Sequence, residues 1–89
     1  MDILRRATAG TLQSNDCLIE VAPQAELSVT IESPVFDRFG RQIDEAVRTE
    51  AKMLGVEQAA ILVFDRGALD CTIRARVKTA LLRASEADL

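Results

Sequence analysis

Ser14 is the residue of this sequence that most resembles a reactive group. It lies among the turn-forming residues Gln13, Asn15 and Asp16, between two apolar segments. A serine becomes a nucleophile when a neighbouring base, most often histidine, takes its proton, and the chain contains no histidine. A Ser-His-Asp triad is therefore impossible within this chain. Ser14 is either an ordinary turn residue, whose hydroxyl bonds the local backbone, or a group on which another protein acts.

The other chemistry-bearing residues do not suggest a conventional active site. Cys17 and Cys71 lie far apart and outside any Cys-x-x-Cys pattern, and the absence of histidine argues against a zinc site. We expect both cysteines to be small, half-buried core residues. The glycines are scattered and form no phosphate-binding pattern. The neighbouring carboxylates Asp44 and Glu45 diverge on a helix, so we interpret them as part of a solvated face.

Charge and hydropathy argue against nucleic acid and membrane as partners. The net charge is −3, with an acidic body and one basic segment at residues 66–84. The only aromatic residues are three phenylalanines, so base-stacking platforms are scarce. The longest apolar run, residues 59–64, is far too short to span a bilayer. The N-terminal residues lack the pattern of a signal peptide, which favours a cytoplasmic location.

Period-two alternation predicts the strands that would position Ser14. Apolar residues alternate with polar ones over residues 17–21 and again over residues 27–32. We expect these two strands to pair as a β-hairpin across the break at residues 23–25. Residues 7–12 form a weaker candidate strand. It would place Ser14 at the tip of a first hairpin.

Two longer segments have the three- and four-residue spacing of helices. The first follows Ser33, a plausible N-cap, and Pro34, which suits the first helical position; it ends at Gly55. The second runs from Leu69 to about residue 84. Between them, residues 59–64 are continuously apolar, which predicts a central strand covered on both faces.

The element order β-β-β-α-β-α predicts an α+β fold. We expect a small, mostly antiparallel sheet with two helices packed on one face. Residues 1–89 are predicted to form a single domain, with residues 85–89 as a frayed tail. The order of the strands within the sheet does not follow from the pattern.

Two sequence blocks resemble the acyl carrier (gamma) subunits of citrate lyase. Residues 10–16, Gly-Thr-Leu-Gln-Ser-Asn-Asp, are similar to that family's G-T-L-E-S-x-D segment. Residues 65–76 are similar to its D-K-G-A-L-D-C-x-x-R-A-R segment, which is the more specific of the two. Phe39-Gly40 is a weaker third match. The spacing between the blocks also fits, so the resemblance covers nearly the whole chain.

The resemblance implies that Ser14 carries a prosthetic group. In that family the serine of the first block holds phosphoribosyl-dephospho-coenzyme A through a phosphodiester. The chain would then be a non-catalytic carrier whose arm holds acetyl and citryl thioesters. The alpha subunit would exchange acetyl for citrate with release of acetate, and the beta subunit would release oxaloacetate. A separate transferase would load Ser14.

The sequence departs from the family pattern at two positions and leaves alternatives open. Gln13 replaces the usual Glu and Arg66 the usual Lys. Neither change removes the attachment hydroxyl, but Gln13 could weaken recognition by the transferase. The carrier of malonate decarboxylase, which uses the same type of arm, is an alternative, as is an unmodified small α+β interaction domain. The block at residues 65–76 favours citrate lyase.

The basic residues of the second helix have two interpretations. They could contact a partner subunit or the phosphates of the arm, or they could form an ordinary solvated face. This choice concerns Arg74, Arg76 and Lys78. Cys71, on the same helix, is expected to be buried beside the apolar stripe.

Overall fold

The computed structural model describes residues 1–86 and contains six elements in the expected order. They are β1 (Ala7–Gly10), β2 (Cys17–Ala22), β3 (Ser28–Glu32), α1 (Phe36–Met53), β4 (Ala60–Asp65) and α2 (Asp70–Ser85). The predicted α+β class is confirmed. Ser85, assigned to a frayed tail, is the last residue of α2, and residues 87–89 of that tail lie outside the described residues. Within residues 1–86, neither helix is long and apolar enough to cross a membrane.

The four strands form one sheet in the order β1-β2-β4-β3. The pairs β1–β2 and β2–β4 are antiparallel, whereas β3 and β4 are parallel. The first hairpin is confirmed, since Gly10 is the partner of Leu18. The predicted hairpin between β2 and β3 is wrong, because β4 lies between them. Parallel neighbours need a long crossover, and α1 supplies it between β3 and β4.

Both helices pack on one face of the sheet, where the core lies. Alternate residues of the two central strands point into the core, and buried side chains of the helices cover them. The largest fully buried apolar side chains of the strands and helices include Ile19, Ile61, Val63, Val47, Val77 and Leu81. Each such side chain stabilises the fold by about 1.5–3 kcal/mol through burial. Leu62 and Phe64 of β4 face the other way and are half-buried. The prediction that β4 is covered on both faces is therefore wrong, because α1 and α2 both lie on the opposite face.

The ends of α1 differ in how well the sequence predicts them. Ser33 is not its N-cap, because α1 begins at Phe36. The Ser33 hydroxyl instead accepts a hydrogen bond from the Val35 N–H (3.2 Å) and donates one to a carboxylate on β4. Gly55 ends the helix as expected. It has φ +68°, and the Val56 N–H closes on a carbonyl of the last turn at 2.8 Å.

Candidate functional site

Ser14 occupies the tip of the loop that joins β1 to β2. Residues 11–15 are all exposed. The turn is closed by a hydrogen bond from the Asp16 N–H to the Gln13 carbonyl (3.1 Å), and Asn15 has φ +66°. Asparagine tolerates this left-handed conformation better than most residues. The Ser14 hydroxyl is therefore accessible to another protein, as predicted from the turn residues.

The backbone of this loop is fixed although its side chains are exposed. The Asn15 N–H donates to the Arg66 carbonyl at 2.8 Å, and the Arg66 N–H donates to the Asp16 carbonyl at 2.9 Å. At the loop base, the Thr11 N–H donates to the Cys17 carbonyl at 3.2 Å. The loop is thus docked on the connection between β4 and α2, and this docking joins the two sequence blocks that resemble the carrier family.

Asp16 is the centre of the polar contacts that shape the loop. Its carboxylate accepts hydrogen bonds from the Thr11 hydroxyl (2.7 Å) and the Cys17 N–H (2.7 Å). Arg76 of α2 adds a two-pronged contact, with Nε and Nη2 each 3.1 Å from a carboxylate oxygen. The Thr11 hydroxyl, the Cys17 N–H and the Arg76 guanidinium, in that order of size, lower the pKa of Asp16 to about 2. A charge-assisted bidentate pair is geometrically specific, so Arg76 holds the loop in one orientation.

Arg74, Arg76 and Lys78 of α2 occupy different environments. Arg76 contacts Asp16 of the loop, a role that neither of the two sequence-based interpretations named. Arg74 contacts Asp70 at 2.7 Å and Glu50 of α1 at 3.7 Å, which links the two helices. The Arg74–Asp70 hydrogen bond is the largest cause of the raised pKa of Arg74. Lys78 is exposed, as on a solvated face.

The two cysteines differ in burial. Cys17 is fully buried. Burial, followed by the nearby carboxylates of Asp16 and Asp65, raises the pKa of its thiol to about 11, so the thiol is unreactive at neutral pH. Cys71 is exposed, and the prediction that it is buried is wrong. It lies in the first turn of α2, whereas the buried stripe of that helix begins at Ile73.

Asp65 is a structural residue whose role sequence reasoning missed. It follows the strand predicted over residues 59–64, but in the structure it is the last residue of β4 and is only 1% exposed. Its carboxylate accepts hydrogen bonds from the Ser33 hydroxyl (2.7 Å), the Gly67 N–H (3.1 Å) and the Ala68 N–H (2.9 Å). It therefore builds the connection on which the Ser14 loop docks. An Asp followed closely by Gly at a strand end is the signal that could have indicated it.

A cavity of about 560 Å³ opens beside this connection, between the N-terminal ends of the two helices. Its walls are mostly apolar and include Phe39, Leu69 and Ile73. Gly67 also lines it. A methyl group placed on Gly67 would lie 3.6 Å from Oδ1 of Asn15, so the cavity adjoins the Ser14 loop. The sequence pattern does not indicate this cavity, because its lining comes from two segments, residues 35–43 and 65–73, that are far apart in the chain.

The lowered pKa of Asp16 predicts that the folded protein loses stability in acid. Its pKa in the folded protein, about 2, is below the ordinary value of 3.8. The ionised carboxylate therefore stabilises the fold above about pH 4, and this contribution is lost as the pH falls towards about 2. We expect the melting temperature of wild type to fall more steeply over this range than that of Asp16→Asn, as measured by circular dichroism. Asp2→Asn, at the exposed N-terminus, is the control that should behave like wild type.

The fold is shared with a solved structure of a protein from Thermus thermophilus. The superposition has a TM-score of 0.55 at 13% sequence identity and covers 89% of this chain. It covers 15% of the Thermus chain, so the present chain spans only a small part of that protein. At this level of identity the likeness concerns the fold alone.

Family comparisons identify the class of protein to which the fold and the loop belong. Residues 4–84 match an acyl carrier protein family described as "Malonate decarboxylase delta subunit (MdcD)". The citrate lyase acyl carrier protein of Treponema denticola is 48% identical over 97% of this chain and 99% of its own length. That of Pectobacterium atrosepticum is 48% identical over 97% and 91%, and that of Haemophilus influenzae is 45% identical over 97% and 90%. The chain belongs to the citrate lyase acyl carrier protein family.

The family assignment confirms what the two sequence blocks indicated. Residues 10–16 and 65–76 meet in the structure at the docked loop. Ser14 as the attachment residue remains a prediction, since the comparisons name the family and not the residue that is modified.

Proposed function

We propose that this chain is the acyl carrier subunit of a citrate lyase and that Ser14 carries its prosthetic arm. The arm would be phosphoribosyl-dephospho-coenzyme A, joined to the Ser14 hydroxyl by a phosphodiester. The observation that carries the proposal is an exposed serine at the tip of a fixed loop. It occurs in a chain that is 48% identical to citrate lyase acyl carriers over nearly its full length.

The loop suits a covalently attached phosphate. Of the two hydroxyl side chains in residues 11–16, that of Thr11 donates to Asp16. No hydrogen bond within residues 1–86 engages the hydroxyl of Ser14. A phosphodiester here would add negative charge near Asp16, but Arg76 already compensates that carboxylate. The Ser14 hydroxyl can therefore be reached, and a phosphate attached to it would not lie beside an unpaired carboxylate.

A carrier of this kind needs no catalytic residues of its own. The arm supplies the thiol that bears the acyl group, and the protein holds and presents it. Tethering keeps the acyl group near each partner site at high effective concentration. We assign the chemistry to the alpha and beta subunits of a cytoplasmic complex, and the loading of Ser14 to a transferase that reads the loop.

Mass spectrometry of protein from cells with active citrate lyase tests the proposal. We expect an intact mass that exceeds the chain mass by the prosthetic group, with the increment mapped to the peptide containing Ser14. Unmodified protein from such cells would contradict the proposal. Protein made without the loading enzymes is the reference for the unmodified mass.

The carrier of malonate decarboxylase is the second candidate, because the matching family model bears that name. Both candidates use the same type of arm, so the mass increment does not separate them. Affinity purification of the loaded chain from its host does separate them. Recovery of citrate-cleaving subunits supports the first proposal, and recovery of malonate-decarboxylating subunits supports the second. A chain that is never loaded but still binds partners would instead be an interaction domain.

A further inference from the structure

The cavity between the N-terminal ends of α1 and α2 lies next to the loop that bears Ser14. We propose that it receives the uncharged terminal segment of the arm, the pantetheine thiol or its acetyl thioester, when the carrier is not engaged with a partner. This inference rests on the proposed function and assigns a binding site for the reactive end of the arm.

The first argument is position. Arg66 pairs through its backbone with both Asn15 and Asp16, and the next residue, Gly67, lines the cavity. The cavity therefore begins at the segment on which the attachment loop rests. A long flexible arm that starts at Ser14 has this cavity among the concave surfaces closest to its point of attachment.

The second argument is the chemistry of the lining. The walls and floor are formed mainly by apolar side chains: Val35, Phe39, Ile43, Leu69 and Ile73. The charged side chains among the lining residues are two carboxylates, those of Asp65 and Asp70, and no lining residue is cationic. Asp70 is paired with Arg74 and Asp65 accepts three hydrogen bonds, so the lining offers no cationic side chain that could bind a phosphate or a carboxylate. It suits a neutral chain, and the side-chain amide of Gln42 can bond the amide groups of pantetheine.

The third argument is the exposure of the walls. Phe39 and Leu69 are 39% and 71% exposed, and Val35 beside them is 38% exposed. An occupant would remove this apolar surface from water, which favours binding. Because the arm is tethered, its effective concentration is on the order of millimolar. An intrinsic Kd of about 1 mM is then enough to keep the terminal segment in the cavity about half of the time.

The reactivity of the arm thiol measures this occupancy. The exposed Cys71 would also react, so the experiment uses a Cys71→Ser background, in which the buried Cys17 is protected. Leu69→Glu places a charge at the cavity wall. Met53→Glu is its matched control, because Met53 is 73% exposed and does not line the cavity. All variants are loaded by co-expression with the transferase and reacted with a disulfide reagent such as dithiobis(nitrobenzoate).

We expect the arm thiol of Leu69→Glu to react about threefold faster or more than that of the parent, since only the undocked fraction is reactive. Met53→Glu should react like the parent. Equal rates in all three proteins would overturn the inference. Equal rates, together with failure of Leu69→Glu to bind the partner subunits, would show that this surface binds a partner instead of the arm.

Amide chemical shifts give a second measurement that does not depend on a variant. Loading should shift the signals of Ile43 and Ile73 at the cavity floor in the parent protein. Changes confined to residues 11–17 would overturn the inference while leaving the proposed function intact. The intact mass separates the two ideas, because absence of an adduct on the parent would overturn both.

Discussion

Replacing Ser14 with alanine should abolish both the covalent adduct and citrate cleavage by the reconstituted complex. The substitution removes the oxygen to which the phosphodiester would be attached, so the expected loss is complete and not graded. The folded domain should be unaffected, because Ser14 is exposed and substitutions at such sites typically change stability by about 0.5 kcal/mol or less. Intact mass, activity after mixing with the catalytic subunits and the melting temperature together check this result.

A neighbouring substitution serves as the control for Ser14→Ala. Gln13→Glu restores the residue usual in the family one position earlier and leaves the hydroxyl in place. It should be loaded at least as fast as wild type if the transferase reads this position. An adduct that persists in Ser14→Ala would contradict the assignment, and peptide mapping would then show which residue carries it.

Gly10→Ala is expected to be the most destabilising single substitution in the loop region. Gly10 has φ +96°, which strains any residue with a side chain. The added methyl group would also overlap the backbone carbonyl oxygen of Cys17, and Cδ of Arg76 would lie 3.3 Å away. Backbone strain and overpacking together should cost on the order of 4 kcal/mol. Chemical denaturation followed by circular dichroism measures this change in the free energy of unfolding.

Gly55→Ala is the matched control for Gly10→Ala. Gly55 also has a positive φ, +68°, but the nearest atom to an added methyl group is the Met1 nitrogen at 3.5 Å. Gly55→Ala should therefore lower the free energy of unfolding only through the strain of a positive φ, by about 1–2 kcal/mol. Similar losses at the two positions would show that overlap with Cys17 does not matter.

Periodicity in the sequence predicts the elements but not their neighbours. The alternation of β2 and β3 identifies the residues that face the core, and the structure confirms both strands. Alternation carries no information about which strand lies alongside, so the expected β2–β3 pairing was wrong. The continuous apolar run of β4 similarly indicated cover on both faces, whereas Leu62 and Phe64, on the face opposite α1 and α2, remain half-buried.

The candidate site shows the same limit. Turn-forming residues around Ser14 predict an exposed loop, because their preferences are local. The contact that orients this loop joins Asp16 to Arg76, 60 residues later in the chain. The family resemblance places Asp16 in the block at residues 10–16 and Arg76 in the block at residues 65–76. It does not indicate that the two residues are in contact. Asp65 was missed for a related reason, since its partner Ser33 lies 32 residues earlier.

The strand order also determines when the attachment loop is completed during synthesis. β2 needs β4 as its second neighbour, and the loop needs the backbone of Arg66 and the side chain of Arg76. These contacts are long-range, and such contacts form only after much of the chain is available. A nascent chain that ends before α2 therefore lacks the Arg76 contact that orients the turn. A transferase that recognises the anchored turn would distinguish finished carriers from fragments still on the ribosome.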